Sequence, residues 1–157
     1  MKLTSHEEYG MRCLIRLAQA GPGSRLTIPE ISRAEGVSEA YVGKLLRVLR
    51  IGGFVTAARG AGGYSLARPA RQIVLKDVMA ALGDLLFEDD FCNAHVGERD
   101  TCVRSVDCSL RVLWRTLQAA LDNVLTRTTL ADLLCNEQQM ITWVRGLGEF
   151  ASRMSRH

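Results

Sequence analysis

The sequence predicts a mainly α-helical fold with a small β wing: a winged helix-turn-helix domain plus a long dimerisation helix. Three observations predict it. Two capped helical patterns meet at a tight glycine turn in "LTIPEISRAEGVSEAYVGKLLRVLRIGGF". A glycine-rich tip, "RGAGG", lies between two short alternating runs. A later helical stretch carries an apolar seam wider than one small domain needs for its own core. With 157 residues, 47% hydrophobic and 24% charged, the chain has the apolar content of one ordinary globular unit. The expected organisation is a winged domain over residues 1–83, a cysteine loop over 84–108, a dimerisation helix region over 109–134 and a tail over 135–157.

The first helix is expected from "TSHEEYGMRCLIRLA". Thr4 and Ser5 are both good N-caps, each with a glutamate three residues on (Glu7, Glu8), and Met11, Leu14, Ile15 and Ala18 share one face. "AGPGS" breaks it. The second helix opens with a capping box of Thr27 and Glu30, carries Pro29 in its first turn, and stops at Glu35-Gly36-Val37. Ser38 then caps a third helix, in which Val42, Leu45, Leu46 and Leu49 recur at core spacing and leave Tyr41, Lys44 and Arg47 facing outward. Phe54 and Val55, then Tyr64 and Leu66, flank the turn that carries Arg59, which makes this hairpin a wing. In such a fold the third helix enters the major groove and the hairpin tip reaches the neighbouring minor groove or backbone. "LKDVMAAL" reads as a short helix, and "LRVLWRTLQAALDNVLTRTTLADLL" as one long helix. Its Leu110, Leu113, Trp114, Leu117, Leu121, Val124 and Leu125 form the seam that predicts a homodimer, and so an operator with two-fold-related halves. The residues after Asn136 are weakly patterned and receive no assignment.

Charge supports a polyanion partner. Residues 33–71 hold seven of the 20 Lys and Arg but only two of the 17 acids. No apolar run approaches the roughly 20 residues of a membrane span, and the N-terminal residues lack a secretory pattern, so a cytoplasmic location is expected. An enzyme is not: three histidines leave little for acid–base work, and the wing glycines lack the Lys-Ser/Thr ending of a phosphate-binding loop.

Five cysteines in a chain read as cytoplasmic favour free thiols, a metal site or a redox sensor over a disulfide framework. Cys92, Cys102 and Cys108 crowd one polar stretch at spacings quite unlike the paired knuckles of structural zinc. Thiolates are also the ordinary ligands of iron–sulfur clusters, and a loop containing Gly97 has room to wrap a body larger than one ion. Cys13 and Cys135 read as small buried apolar residues.

Together, "MKLTSHEEYGMRCLIRLA", the helix-turn-helix, "RGAGGYSLARPARQIVLKDVMAAL" and a cysteine loop before a long helix resemble the Rrf-two superfamily of bacterial transcription regulators, the group of IscR, NsrR and RirA. The likeness spans about residues 1–134. It implies a homodimeric winged-helix repressor or activator whose cysteine loop holds an iron–sulfur cluster that senses redox state, nitric oxide or iron supply. It also implies DNA contacts by Ser38, Tyr41 and Lys44 at the start of the recognition helix, and by Arg59, Gly60 and Tyr64 in the wing. In the IscR branch a histidine three residues beyond the last cysteine completes the cluster; here that position is Arg111, which cannot release its charge to bind metal. In the NsrR branch an acid near the start of the first helix, from the partner subunit, serves instead, and ungapped matching lands on Glu8. The implied ligand set is therefore Cys92, Cys102, Cys108 and Glu8, with His95 the main rival and His6 and Asp107 weaker ones. A hard carboxylate is loosely held on a soft cluster, so it would leave first. Likeness to NsrR and RirA favours 4Fe-4S, with 2Fe-2S the alternative. Two other readings compete: a cluster-free regulator sensing oxidants by a thiol/disulfide switch, and an iron–sulfur redox protein whose winged domain docks a partner.

Overall fold

The computed structural model describes residues 3–58, 62–83 and 91–154, and for residue 91 and residues 147–154 the backbone only. Arg59 and Gly60, expected at the wing tip, lie outside the described residues. Helix α1 (Ser5–Gln19) is capped by Thr4, whose backbone N–H and hydroxyl donate to Glu7 Oε2 at 2.7 and 2.8 Å while Glu7 N–H returns to the hydroxyl. Ser5 is thus the first helical residue rather than the cap. Helix α2 (Ile28–Glu35) opens on the predicted Thr27–Glu30 box and stops at Gly36, whose φ of +67° is the left-handed C-cap that glycine adopts without penalty. Helix α3 (Glu39–Ile51) follows, capped by Ser38.

The wing is an antiparallel pair, β1 (Val55–Ala57) and β2 (Tyr64–Leu66), in register Val55↔Leu66, Thr56↔Ser65 and Ala57↔Tyr64. Leu26 extends the sheet by a bridge to Tyr64, which ties the α1–α2 connection to the wing stem. Helix α4 (Leu75–Leu82) matches "LKDVMAAL". Its Leu82 lies so close to Gly10 of α1 that an added Cβ would stand 2.6 Å from the leucine methyl. Glycine there is what lets the two helices cross. The core gathers Leu14 and Leu17 of α1, Ile31 of α2, Val42, Leu45, Leu46 and Leu49 of α3, and Ile73, Val78 and Leu130 from farther along the chain.

Two expectations need correction. The long helix does not run through "TTLADLL": α6 (Ser109–Arg127) ends, and a separate 3-10 helix covers Leu130–Leu134. Backbone pairing takes the chain out of the helix, because Leu75 N–H donates to Thr128 O at 2.9 Å and Leu130 N–H to Ile73 O at 2.8 Å. Thr128 is extended and its hydroxyl closes onto Val124 O, one of the orphan carbonyls of the helix end. The residues after Asn136 are also not featureless, since Glu137–Met154 form a helix, α7; α5 (Phe91–Ala94) is a single turn within the cysteine loop. Asn136 and Gln139 cap α7 reciprocally, backbone to side chain, at 3.0 and 2.9 Å.

Candidate functional site

The recognition face is built by α3. The Ser38 hydroxyl accepts from Tyr41 N–H at 3.3 Å, and Lys44 and Arg47 extend into solvent. Tyr41 does not simply face outward as its position in the helical pattern suggests. It is partly buried, and its ring meets Tyr9 and His6 of α1 edge-on, with centroids 6.0 and 6.3 Å apart. Tyr64 is likewise partly buried in the wing stem and packs on the core. Gly62 and Gly63 leave the wing tip at φ of +77° and +95°, where a side chain would be strained.

The second half of the site is a cavity of about 190 Å³ at the start of α6, lined by Cys92 of α5, Cys102 and Cys108 together with Asp100, Arg104 and Arg111. All three thiols are free and partly buried. Three residues spread over seventeen positions are thus brought to one place by a loop that turns at Gly97, with φ of +77°. The loop is pinned by Ser105 N–H donating to Cys102 O at 3.0 Å and by Arg111 Nη1 donating to Ser105 O at 3.0 Å. Arg111, in the position where the resemblance expects a histidine, therefore serves as a strut in the cavity wall. Cys108 occupies the N-cap of α6 without using its side chain to cap, which leaves the sulfur for the cavity.

Among the described residues no set of three His, Cys, Asp or Glu gathers around a point as for a single metal ion. The thiol-lined volume is instead several times the roughly 30 Å³ of a water molecule. Three soft sulfur donors line this space beside two guanidinium groups, Arg104 and Arg111, that would offset negative charge, and it has room for more than a single ion.

Glu8 is exposed on α1 and paired with Arg12 at 2.8 Å, and it does not line the cavity of its own chain. Because Glu7 completes the Thr4 cap, Glu8 has no capping duty. His95 and Asp107 are exposed, His6 lies against Tyr41, and none of the three lines the cavity. Asp100 does, and sequence reading missed it: an acid two residues before a cysteine looks like any polar loop residue until the loop is folded. Cys13 is fully buried, with burial pushing its thiol up to about 12, which leaves it unreactive. Cys135 is partly rather than fully buried, and its S–H donates to Asp132 O at 2.9 Å.

A helix-turn-helix with a paired-strand wing is a winged-helix architecture of the kind used to bind DNA, here followed by a thiol-lined cavity at the head of an exposed helix. The chain belongs to the Rrf2 family, the superfamily that its motifs resemble: the family model described as iron-dependent transcriptional regulator matches residues 3–136. It is similar to the protein rrf2 of Nitratidesulfovibrio vulgaris, at 37% identity over 85% of this chain and 87% of that one. Among solved structures it is similar to T. potens IscR, with 30% identity, a TM-score of 0.67, and coverage of 85% of this chain and 86% of that. The oxidised form of Staphylococcus aureus CymR is also similar, with 28% identity, a TM-score of 0.67, and coverage of 87% and 98%. No described helix is long and apolar enough to cross a membrane.

Proposed function

We propose that this chain is a homodimeric, DNA-binding transcription regulator whose Cys92, Cys102 and Cys108 hold an iron–sulfur cluster, with Glu8 of the partner subunit as fourth ligand. The observation that carries the reading is the convergence of the three thiols on one cavity at the head of α6. The iron dependence in the family description agrees with it. A bound cluster, 4Fe-4S by preference, supplies one-electron redox chemistry and reactivity toward small oxidants or nitric oxide. The chain supplies the coupling. Cys108 begins α6, whose Asp122 is tied to Lys76 of α4 at 2.9 Å, so the thiol cavity is joined to the winged unit. Glu8 adjoins Tyr9, whose ring meets Tyr41 in the first turn of α3, so a pull on Glu8 reaches the recognition helix. Ser38, Tyr41, Lys44, Arg59, Gly60 and Tyr64 are the proposed contacts to a two-fold-related operator. Arg59 in a narrow minor groove would read shape as much as sequence.

Anaerobic purification tests the cluster: brown protein with equal iron and sulfide is expected, and Cys102→Ser should abolish the colour. Glu8→Ala should leave the fold and dimer intact and make the cluster labile; an unchanged cluster would move the fourth ligand to His95 or Asp100. Lys44→Ala should lower operator affinity and reduce the salt slope by about one without altering the spectrum.

A second reading keeps the DNA binding and uses the thiols themselves. Three free cysteines around one cavity, and the likeness to a regulator with an oxidised form, favour it over the docking alternative. Colourless protein that loses thiols reversibly under peroxide would establish it in place of the cluster.

A further inference from the structure

A larger cavity, of about 600 Å³, is used by neither the thiol site nor the recognition helix. It lies between the C-terminal end of α1, the α1–α2 connection, the wing stem and the 3-10 helix after α6. That volume is in the range of small-molecule sites. It shares no lining residue with the thiol cavity. Leu17, Leu66 and Leu134 give it apolar walls, and Arg68 and Arg71 bring two guanidinium groups. No Asp or Glu is among its lining residues.

Arg68 carries the argument. Its guanidinium carbon stands 5.3 Å from the centre of the Phe54 ring, and its Nε is buried with no hydrogen-bond partner among the described residues. A buried cationic N–H without an acceptor is costly, and such groups are rare in folded proteins. The ring answers the positive charge but is no conventional acceptor for the N–H. A guanidinium fork matches a carboxylate in two parallel hydrogen bonds.

We propose that this cavity binds a small organic anion, a monocarboxylate with an aliphatic body, with Arg68 taking the carboxylate and Leu17, Leu66 and Leu134 taking the chain. A ligand held there touches α1, β2 and the segment following α6 at once, so its occupancy bears on the attachment of the wing stem. The site stands or falls apart from the cluster reading.

Calorimetric titration of the full-length protein with hexanoate tests it, with hexanol as the neutral control and butyl phosphate as the rival anion. Saturable binding of one hexanoate per chain is expected, with hexanol at least about tenfold weaker. Arg68→Gln should weaken hexanoate about tenfold or more. Leu134→Trp, which narrows the cavity from an exposed position, should also weaken it while leaving Arg68 in place. Thermal unfolding confirms that both variants fold, and Cys102→Ser should bind hexanoate unchanged. Equal binding by folded Arg68→Gln, or no saturable binding of hexanoate at millimolar concentration, overturns the proposal, and so does a preference for butyl phosphate. Loss of operator binding in Arg68→Gln without any hexanoate site would assign the residue to DNA instead.

Discussion

Helices α3 and α6 carry the same kind of apolar stripe and meet opposite fates. In α3, Val42, Leu45, Leu46 and Leu49 are all fully buried, packed between α1, α2 and α4. In α6, longer by six residues, no side chain is buried, and Leu110, Leu113, Leu117 and Val124 remain 41–52% exposed. Periodicity alone makes the two look alike. What separates them is what the rest of the chain can cover: the winged unit closes on itself, whereas α6 touches mainly α4 and turns most of its stripe outward. Exposed apolar surface on this scale is the kind of surface that the proposed dimer would cover.

The largest effect should come from emptying the closed region. Leu46→Ala leaves a hole at a fully buried site and should cost about 2–5 kcal/mol, read as a lower denaturation midpoint with its slope preserved. The equivalent truncation on α6, Leu113→Ala, should cost the isolated chain little. Charging the stripe instead, with Leu113→Glu and Leu117→Glu together, should raise the dimer dissociation constant by about 100-fold, or about 2.7 kcal/mol. Sedimentation should then find a monomer that keeps the helical circular dichroism of the winged unit. A double variant that stays dimeric would break the contrast between the two helices.

The same contrast explains what could be read in advance. Local signals sufficed where local chemistry decides: the Thr4–Glu7 and Thr27–Glu30 boxes, the Ser38 cap and the "LKDVMAAL" helix all appear where their residues put them. The end of α6 was not legible from periodicity, because backbone pairing of Thr128 and Leu130 with residues 73–75, more than fifty positions away, decides it. A weaker signal was present: Thr129 and Asp132 form a capping box, and Asn136 with Gln139 caps α7. The three cysteines stand out as a group in the sequence, and the fold brings all three to one cavity. Asp100 as a neighbour and Arg111 as a strut depended on how the loop folds.

Smaller effects sharpen the comparison at the helix ends. Thr27→Ala removes the hydroxyl that accepts from Glu30 N–H and donates to the Glu30 carboxylate, and should cost about 1 kcal/mol. Glu30 is held below the usual carboxylate range, first by the Thr27 backbone N–H and then by its hydroxyl. The variant should therefore lose some of the acid dependence of stability that the box confers.

The smallest expected effect tests how α6 is attached. Asp122 lies below the ordinary carboxylate range, chiefly because Lys76 donates a hydrogen bond to it at 2.9 Å, with Gln118 as a second donor. A carboxyl depressed by folding contributes stability that is present above its unfolded value and is lost as pH falls through the folded one. Both partners are partly exposed, so solvent screening keeps the contribution within about 1 kcal/mol. Asp122→Asn should then lower stability by about 0.5 kcal/mol at neutral pH, and the difference from the parent should vanish in acid below the carboxylate range. Chemical denaturation at the two pH values, in low and high salt, reads both signs. A difference that persists in acid would mean that packing, not this ion pair, fixes α6 to α4. The coupling proposed between the thiol cavity and the winged unit would then have to run through apolar contacts instead.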